Sequence, residues 1–248
     1  MVVVESARTQ GGQVVFFATP DGLNLKGCLH LPATRRPPVV IGCHGLFSSS
    51  DSLKQQALAR SCNQRGLAFL RFDHRGCGRS DGDFKAVTSL QARALDLAGA
   101  VAMLQARADL APRVGLFGSS MGGTVCLAMA ACLKAQAVVT LAAPIRSQPV
   151  LAALSRSADR ERVSALLNPA NLHFDISDKI DGVHTLLLFH GDADAVVPVA
   201  SAREIFSRAG EPKAIRIQPR GDHQLSAPGD QAAFQQEATD WFARYLLG

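Results

Sequence analysis

From residue 37 onward, short apolar runs alternate with amphipathic stretches, and this alternation limits the possible folds more than any other feature of the chain. The runs PPVVIGC, LAFLRF, RVGLFG, AQAVVTL, VHTLLLF and KAIRIQ have strand length and are rich in Val, Leu, Ile and Phe. Between them, SLKQQALARSCNQ, TSLQARALDLAGAVAMLQAR, residues 121–133 and ASAREIFSRAG read as helices, with Gly66 stopping the first, and DQAAFQQEATDWFARYLL closes the chain. Upstream, GQVVFFATPDGLNLKGCLHLP places two β-rich runs around the turn signal Pro20-Asp21-Gly22, which predicts a hairpin. Strands covered on both faces read as continuous apolar runs. Repeated βα units therefore predict an α/β fold: a mostly parallel sheet with an N-terminal antiparallel hairpin and helices on both faces. The chain has 248 residues and shows no internal repeat or linker, so a single domain over 1–248 is expected. A helix-poor segment, about 145–183, interrupts the alternation.

Charge and cysteine usage remove several functional classes. The net charge is +5, but the Lys and Arg residues are scattered, with no aromatic interleaving. No nucleic-acid partner is expected. The segment MVVVESARTQ lacks the basic start and long apolar run of a signal peptide. The longest near-apolar stretch, Met121 to Leu133, is too short to span a bilayer, so no membrane partner is expected either. Six cysteines form no CxxC pair, and several lie inside apolar runs, as in a reduced, cytoplasmic protein. There is no HExxH and no Cys/His cluster at ligand spacing, so neither a metal nor a cofactor is expected. Gly76-x-Gly78 lacks the third glycine of a dinucleotide fingerprint and reads as the turn after the FLRFD strand.

The chemistry concentrates at strand ends. Gly118-Ser119-Ser120-Met121-Gly122 matches G-x-S-x-G in one frame, with Ser120 at the centre, a strand before it and a helix after it. Side chains two before and two after such a strained serine would collide, and here both are glycine; Gly123 would let the helix approach the sheet. Ser119 is a small filler of the turn. A nucleophilic serine needs a base, and the base needs an orienting acid. His223, in the loop after the last strand, is the candidate base, whereas His30, His173 and His184 read as structural. FHGDADAVVP offers Asp192 and Asp194. Asp194 is the preferred acid, and Asp192 is expected to cap or brace the loop. The backbone amides of Leu46 and Met121 are the candidate oxyanion donors, with His44 bracing the tight His44-Gly45 turn.

Together, CHGLFSSSDSLKQQALARSCNQRGLAFLRFDHRGCGRSDGDF, GLFGSSMGG, LLLFHGDADAVVP and GDHQLS resemble the α/β-hydrolase superfamily. The resemblance is strongest to small bacterial serine esterases, which include cinnamoyl/feruloyl esterases and monoacylglycerol-lipase-like enzymes. It covers nearly the whole chain and implies the α/β-hydrolase fold. The order Ser120, Asp194, His223 is that superfamily's order. Leu46 and Met121 stand where cinnamoyl esterases commonly carry an aromatic residue and a glutamine, and the 145–183 segment is short beside their lid. The resemblance implies hydrolysis of a small-molecule ester through an acyl-enzyme. A peptidase, thioesterase or acyltransferase would use the same triad, and a non-catalytic binding protein would use the same fold. Within 145–183, apolar residues at Val150, Leu151, Leu154, Val163, Leu166 and Leu167 fit one or two short helices forming a small cap over the pocket, or an ordinary connecting helix. Too little chain is present for a large lipase lid, so soluble short-to-medium acyl or small aryl esters are expected.

Overall fold

The structure, a computed structural model, describes residues 8–9, 11–156, 161 and 165–248. The MVVVES segment and the cap pattern around Val163 lie outside the described residues. The strands are β1 (Arg8–Thr9), β2 (Gly12–Ala18), β3 (Asn24–His30), β4 (Val39–Cys43), β5 (Ala68–Phe72), β6 (Val114–Ser119), β7 (Ala137–Leu141), β8 (Leu186–Gly191) and β9 (Lys213–Gln218). The main helices are α1 (Leu53–Gln64), α2 (Phe84–Val87), α3 (Leu90–Gln105), α4 (Met121–Met129), α5 (Ser147–Arg156), α6 (Val199–Arg208) and α7 (Pro228–Leu246).

Among the described residues the strands form one nine-stranded sheet in the order β1-β2-β3-β5-β4-β6-β7-β8-β9. Strands β4 to β9 run parallel, and β1, β2 and β3 join the β5 edge antiparallel. The expected hairpin is present, with Val15 opposite Gly27. Its turn is closed by the Thr19 N–H to Leu23 O bond at 2.8 Å.

Neighbouring residues on a strand face opposite sides, and the two cores follow that rule. Ile41, Leu70 and Leu116 pack on one face with Leu97 and Leu104 of α3 and Val125 of α4. Val40, Phe69 and Phe117 pack on the other with Leu58 of α1 and Phe234 and Phe242 of α7. Every residue of β4, β5, β7 and β8 is buried, which is why these strands read as mainly apolar runs, interrupted by Arg71 in β5, Thr140 in β7 and His190 in β8. Ser52 and Ser89 cap α1 and α3 by accepting the N–H groups of Gln55 and Ala92.

One boundary differs from the sequence reading. Helix α4 ends at Met129 rather than Leu133, because the chain winds into a turn that reverses at Lys134, φ 52°, to enter β7. The helix-poor stretch contains α5 and two short 3₁₀ segments, Pro169–Leu172 and Ser177–Gly182. Among the described residues no helix is long and apolar enough to cross a membrane.

From β4 the chain passes to β5 on one side and then returns to β6 on the other, so the strand order reverses at β4. Open α/β sheets bind ligands beyond the carboxyl ends of strands at such a reversal. Here α4 leaves β6 so close to the end of β4 that no side chain fits between them. A Cβ on Gly122 would lie 2.1 Å from Cys43 O, and one on Gly118 would lie 2.3 Å from Gly122 O. Both obstacles are backbone, which cannot swing aside. Gly122→Ala should cost about 1–3 kcal/mol or more through overpacking. Gly229→Ala, in the first turn of α7 with nothing within 4 Å of its Cβ, should be neutral or stabilise by up to about 1 kcal/mol. Thermal denaturation of the two variants checks this, and a Gly122→Ala protein as stable as the wild type would contradict the packing.

Candidate active site

Ser120 links the end of β6 to the start of α4 with φ 51° and ψ −125°. For a non-glycine residue this conformation costs on the order of 1–3 kcal/mol. The cost is carried by the neighbours: the Ser120 N–H donates to Leu141 O of β7 at 2.8 Å, and Ser120 O accepts from Gly123 and Thr124. The strain turns the hydroxyl out of the sheet at the strand's carboxyl end.

His223 reaches Ser120 from 103 residues away, its Nε2 3.0 Å from Ser120 Oγ. Its Nδ1 lies 2.7 Å from Asp194 Oδ2. Asp194 follows β8, and its other oxygen accepts the N–H groups of Val196 and Val197, both at 2.8 Å. Burial pushes the Asp194 carboxyl up, but hydrogen bonds from His190 and His223 outweigh it and hold the group well below the usual carboxylate range. Asp192 accepts the Arg220 N–H, a bond between the loops after β8 and β9. Next in the chain to His223, Gln224 O accepts from Lys54 Nζ of α1 at 2.8 Å, which steadies the histidine loop. Burial pushes the Lys54 amine down to about 8.

Leu46 and Met121 both line the cavity onto which Ser120 opens. Among the described residues neither backbone N–H has a hydrogen-bond partner. Counted with the solvent space at its mouth, the cavity has about 300 Å³ free of atoms. Part of its wall comes from Val150 and Leu151 of α5 and from Leu172 and Phe174. Ser147 ties these pieces together: its N–H donates to Phe174 O and its Oγ accepts the Phe174 N–H. Arg146, just before α5, makes a bidentate pair with Glu204 of α6 at 2.7 Å, which anchors the base of this wall.

The family model described as serine aminopeptidase, S33, matches residues 35–177. The chain belongs to this α/β-hydrolase family. The matched span holds Leu46, Ser120 and Met121 and ends before Asp194 and His223, so the link from Ser120 to Asp194 rests on the geometry above. Among curated proteins, the chain is 29% identical over 209 residues to polyketide transferase grgF of Penicillium sp, covering 82% of this chain and 67% of the relative. Among solved structures, the esterase domain of a Rhodothermus marinus protein superposes with a TM-score of 0.72 at 26% identity, covering 94% of this chain and 98% of that domain. Est1E from Butyrivibrio proteoclasticus, solved with ferulic acid bound, has a TM-score of 0.77 at 18% identity, with 94% and 99% covered. At that identity the likeness is one of fold. The chain is thus an esterase-like α/β-hydrolase.

Several buried polar residues around the site escaped the sequence reading. His190 Nε2 donates to Val197 O at 2.8 Å and lies 3.3 Å from Asp194 Oδ2. Arg75 binds Asp96 and, bidentately, Asp21 of the hairpin turn. One signal was available. Leu90, Arg93, Leu97, Ala100 and Leu104 recur at spacings of three and four on α3, and a charge in the middle of that apolar stripe points to a buried partner.

Asp194 makes the acid-side stability of the protein testable. Its folded-state pKa is depressed, so its contribution is present above the unfolded carboxylate value of about 4 and lost as pH falls toward the folded value. Between pH 7 and pH 3, wild-type protein should lose more stability in urea than Asp194→Asn. Equal losses would contradict the hydrogen-bonding arrangement of Asp194.

Proposed function

We propose that this α/β-hydrolase is a serine carboxylesterase, with Ser120 as nucleophile, His223 as base and Asp194 as acid. One observation carries the reading: an unbroken hydrogen-bonded line from buried Asp194 through His223 to Ser120 Oγ, opening on a cavity with two unpaired amides. His223 Nε2 takes the Ser120 proton as Oγ attacks the ester carbonyl. The oxyanion is held by the Leu46 and Met121 N–H groups. The imidazolium, held by Asp194, gives its proton to the departing alcohol, and water repeats the cycle on the acyl-enzyme. No cofactor takes part in these steps.

The cavity supports a small, uncharged acyl group. The side chains of Leu46, Met121, Val150, Leu151, Leu172 and Phe174 are apolar, and among the described lining residues none is charged. An aminopeptidase must hold a protonated amine, which an apolar wall without a carboxylate would leave unpaired at high cost. That favours esters over peptides here, despite the family's description. Transfer of the acyl group to another alcohol is the second reading, favoured by the likeness to a polyketide transferase. The chemistry up to the acyl-enzyme is the same.

Rates on p-nitrophenyl esters of increasing acyl length test the reading. They should be highest for short-to-medium chains, with no jump when a long-chain substrate passes its solubility limit. Asp194→Asn should lower kcat by about 10⁴, and Asp192→Asn should have a much smaller effect. A sharp rise on emulsified substrate would contradict the small cavity, and a reversed aspartate ranking would move the acid to Asp192.

A further inference from the structure

Arg93 of α3 is fully buried, yet its guanidinium is spent on backbone carbonyls rather than on a carboxylate. Nη1 donates to His44 O and Gly45 O, and Nη2 to Leu46 O, all at 3.2 Å. Asp96, one turn further along the helix, is bound instead by Arg75 and His74. Arg93 Nε has no hydrogen-bond partner among the described residues. Three consecutive carbonyls of the loop after β4 thus wrap one cation. Gly45 O also accepts from His44 Nδ1 at 2.8 Å. His44 is fixed in turn by the His74 N–H donating to its Nε2 at 3.1 Å.

The geometry of the peptide unit gives this arrangement a consequence. In a trans peptide the C=O of one residue and the N–H of the next point in opposite directions. The Gly45 carbonyl points back at Arg93, so the Leu46 N–H points forward, toward the cavity that Leu46 shares with Ser120. A buried guanidinium is costly unless well paired, and here its charge stands directly behind a donor that faces developing negative charge.

We propose that Arg93 is a positioning residue for the oxyanion hole, fixing the Gly45–Leu46 peptide so that its N–H faces the reacting carbonyl oxygen and adding positive potential behind it. The inference rests on the esterase reading, in which Ser120 forms the acyl-enzyme. Arg93 touches no substrate and acts through the Gly45–Leu46 peptide. A simple structural brace would affect stability, whereas a positioning role affects the transition state selectively.

The test combines variants with the wild-type adduct. Arg93→Met should lower kcat on p-nitrophenyl acetate by about 10²–10³, the effect of removing an oxyanion donor, with KM changed by less than about threefold if ground-state binding is spared. Arg93→Lys, which keeps the charge and part of the donor set, should recover part of the loss. The rate ratio between the oxygen ester and its thionoester should shrink in Arg93→Met, because sulfur accepts hydrogen bonds poorly and gains less from an intact hole. An unchanged ratio, or a loss seen only in stability, would overturn the proposal. A crystal structure of wild-type protein phosphonylated on Ser120 decides the matter even if neither variant folds. The phosphoryl oxygen should sit about 3 Å from Leu46 N, with Gly45 O still on Arg93. An oxygen bound elsewhere, or a flipped Gly45–Leu46 peptide, would overturn it. Failure of wild-type protein to react at Ser120 would instead remove the esterase reading itself.

Discussion

The contact on which the site depends is the approach of Gly122 to the carbonyl of Cys43, a gap too narrow for a single methyl group. It brings the end of β4, the end of β6 and the first turn of α4 to one point. At that point Ser120 takes its left-handed conformation, beside the cavity that Leu46 and Met121 also line. The strain at Ser120 is of the order of 1–3 kcal/mol. It is held by hydrogen bonds to β7 and α4 and by the packing of Gly123 against Ala143. A turn of this kind cannot relax without separating α4 from the sheet.

Around this point the protein spends buried polar groups unevenly. Asp194 is tied by two backbone amides and two histidines, so its charge is fixed in direction as well as in value. Arg93 donates to the carbonyls of the 44–46 loop, and His74 links His44 of that loop to Asp96. Breaking one member of a buried charged pair typically costs about 3–5 kcal/mol, more than a surface pair could return. Such groups are costly as mere supports. Asp194 lies behind His223, and the Arg93 guanidinium lies behind the Gly45–Leu46 peptide.

Much of this was legible in the sequence because the relevant constraints are local. The central strands are mainly apolar since both faces are covered, and Gly118 and Gly122 flank the strained serine. Asp194 and His223 were legible as polar residues on loops that leave strands. What was not legible depends on partners distant in sequence. His190 sits inside an apolar strand and looks like one more core position, because its link to Asp194 exists only once the loop folds back. Asp96 and His74 belong to different elements, and periodicity reports faces rather than pairings. The end of α4 was misjudged because Ala130 to Leu133 has helical composition, and the turn at Lys134 is set by the path into β7.

The central claim is that Ser120, and not its neighbour Ser119, is the reacting nucleophile. Labelling with a fluorophosphonate, followed by peptide mass spectrometry, tests it most directly. The adduct should form on Ser120, with no labelling of Ser120→Ala and nearly full labelling of Ser119→Ala. Labelling that persists in Ser120→Ala would contradict it.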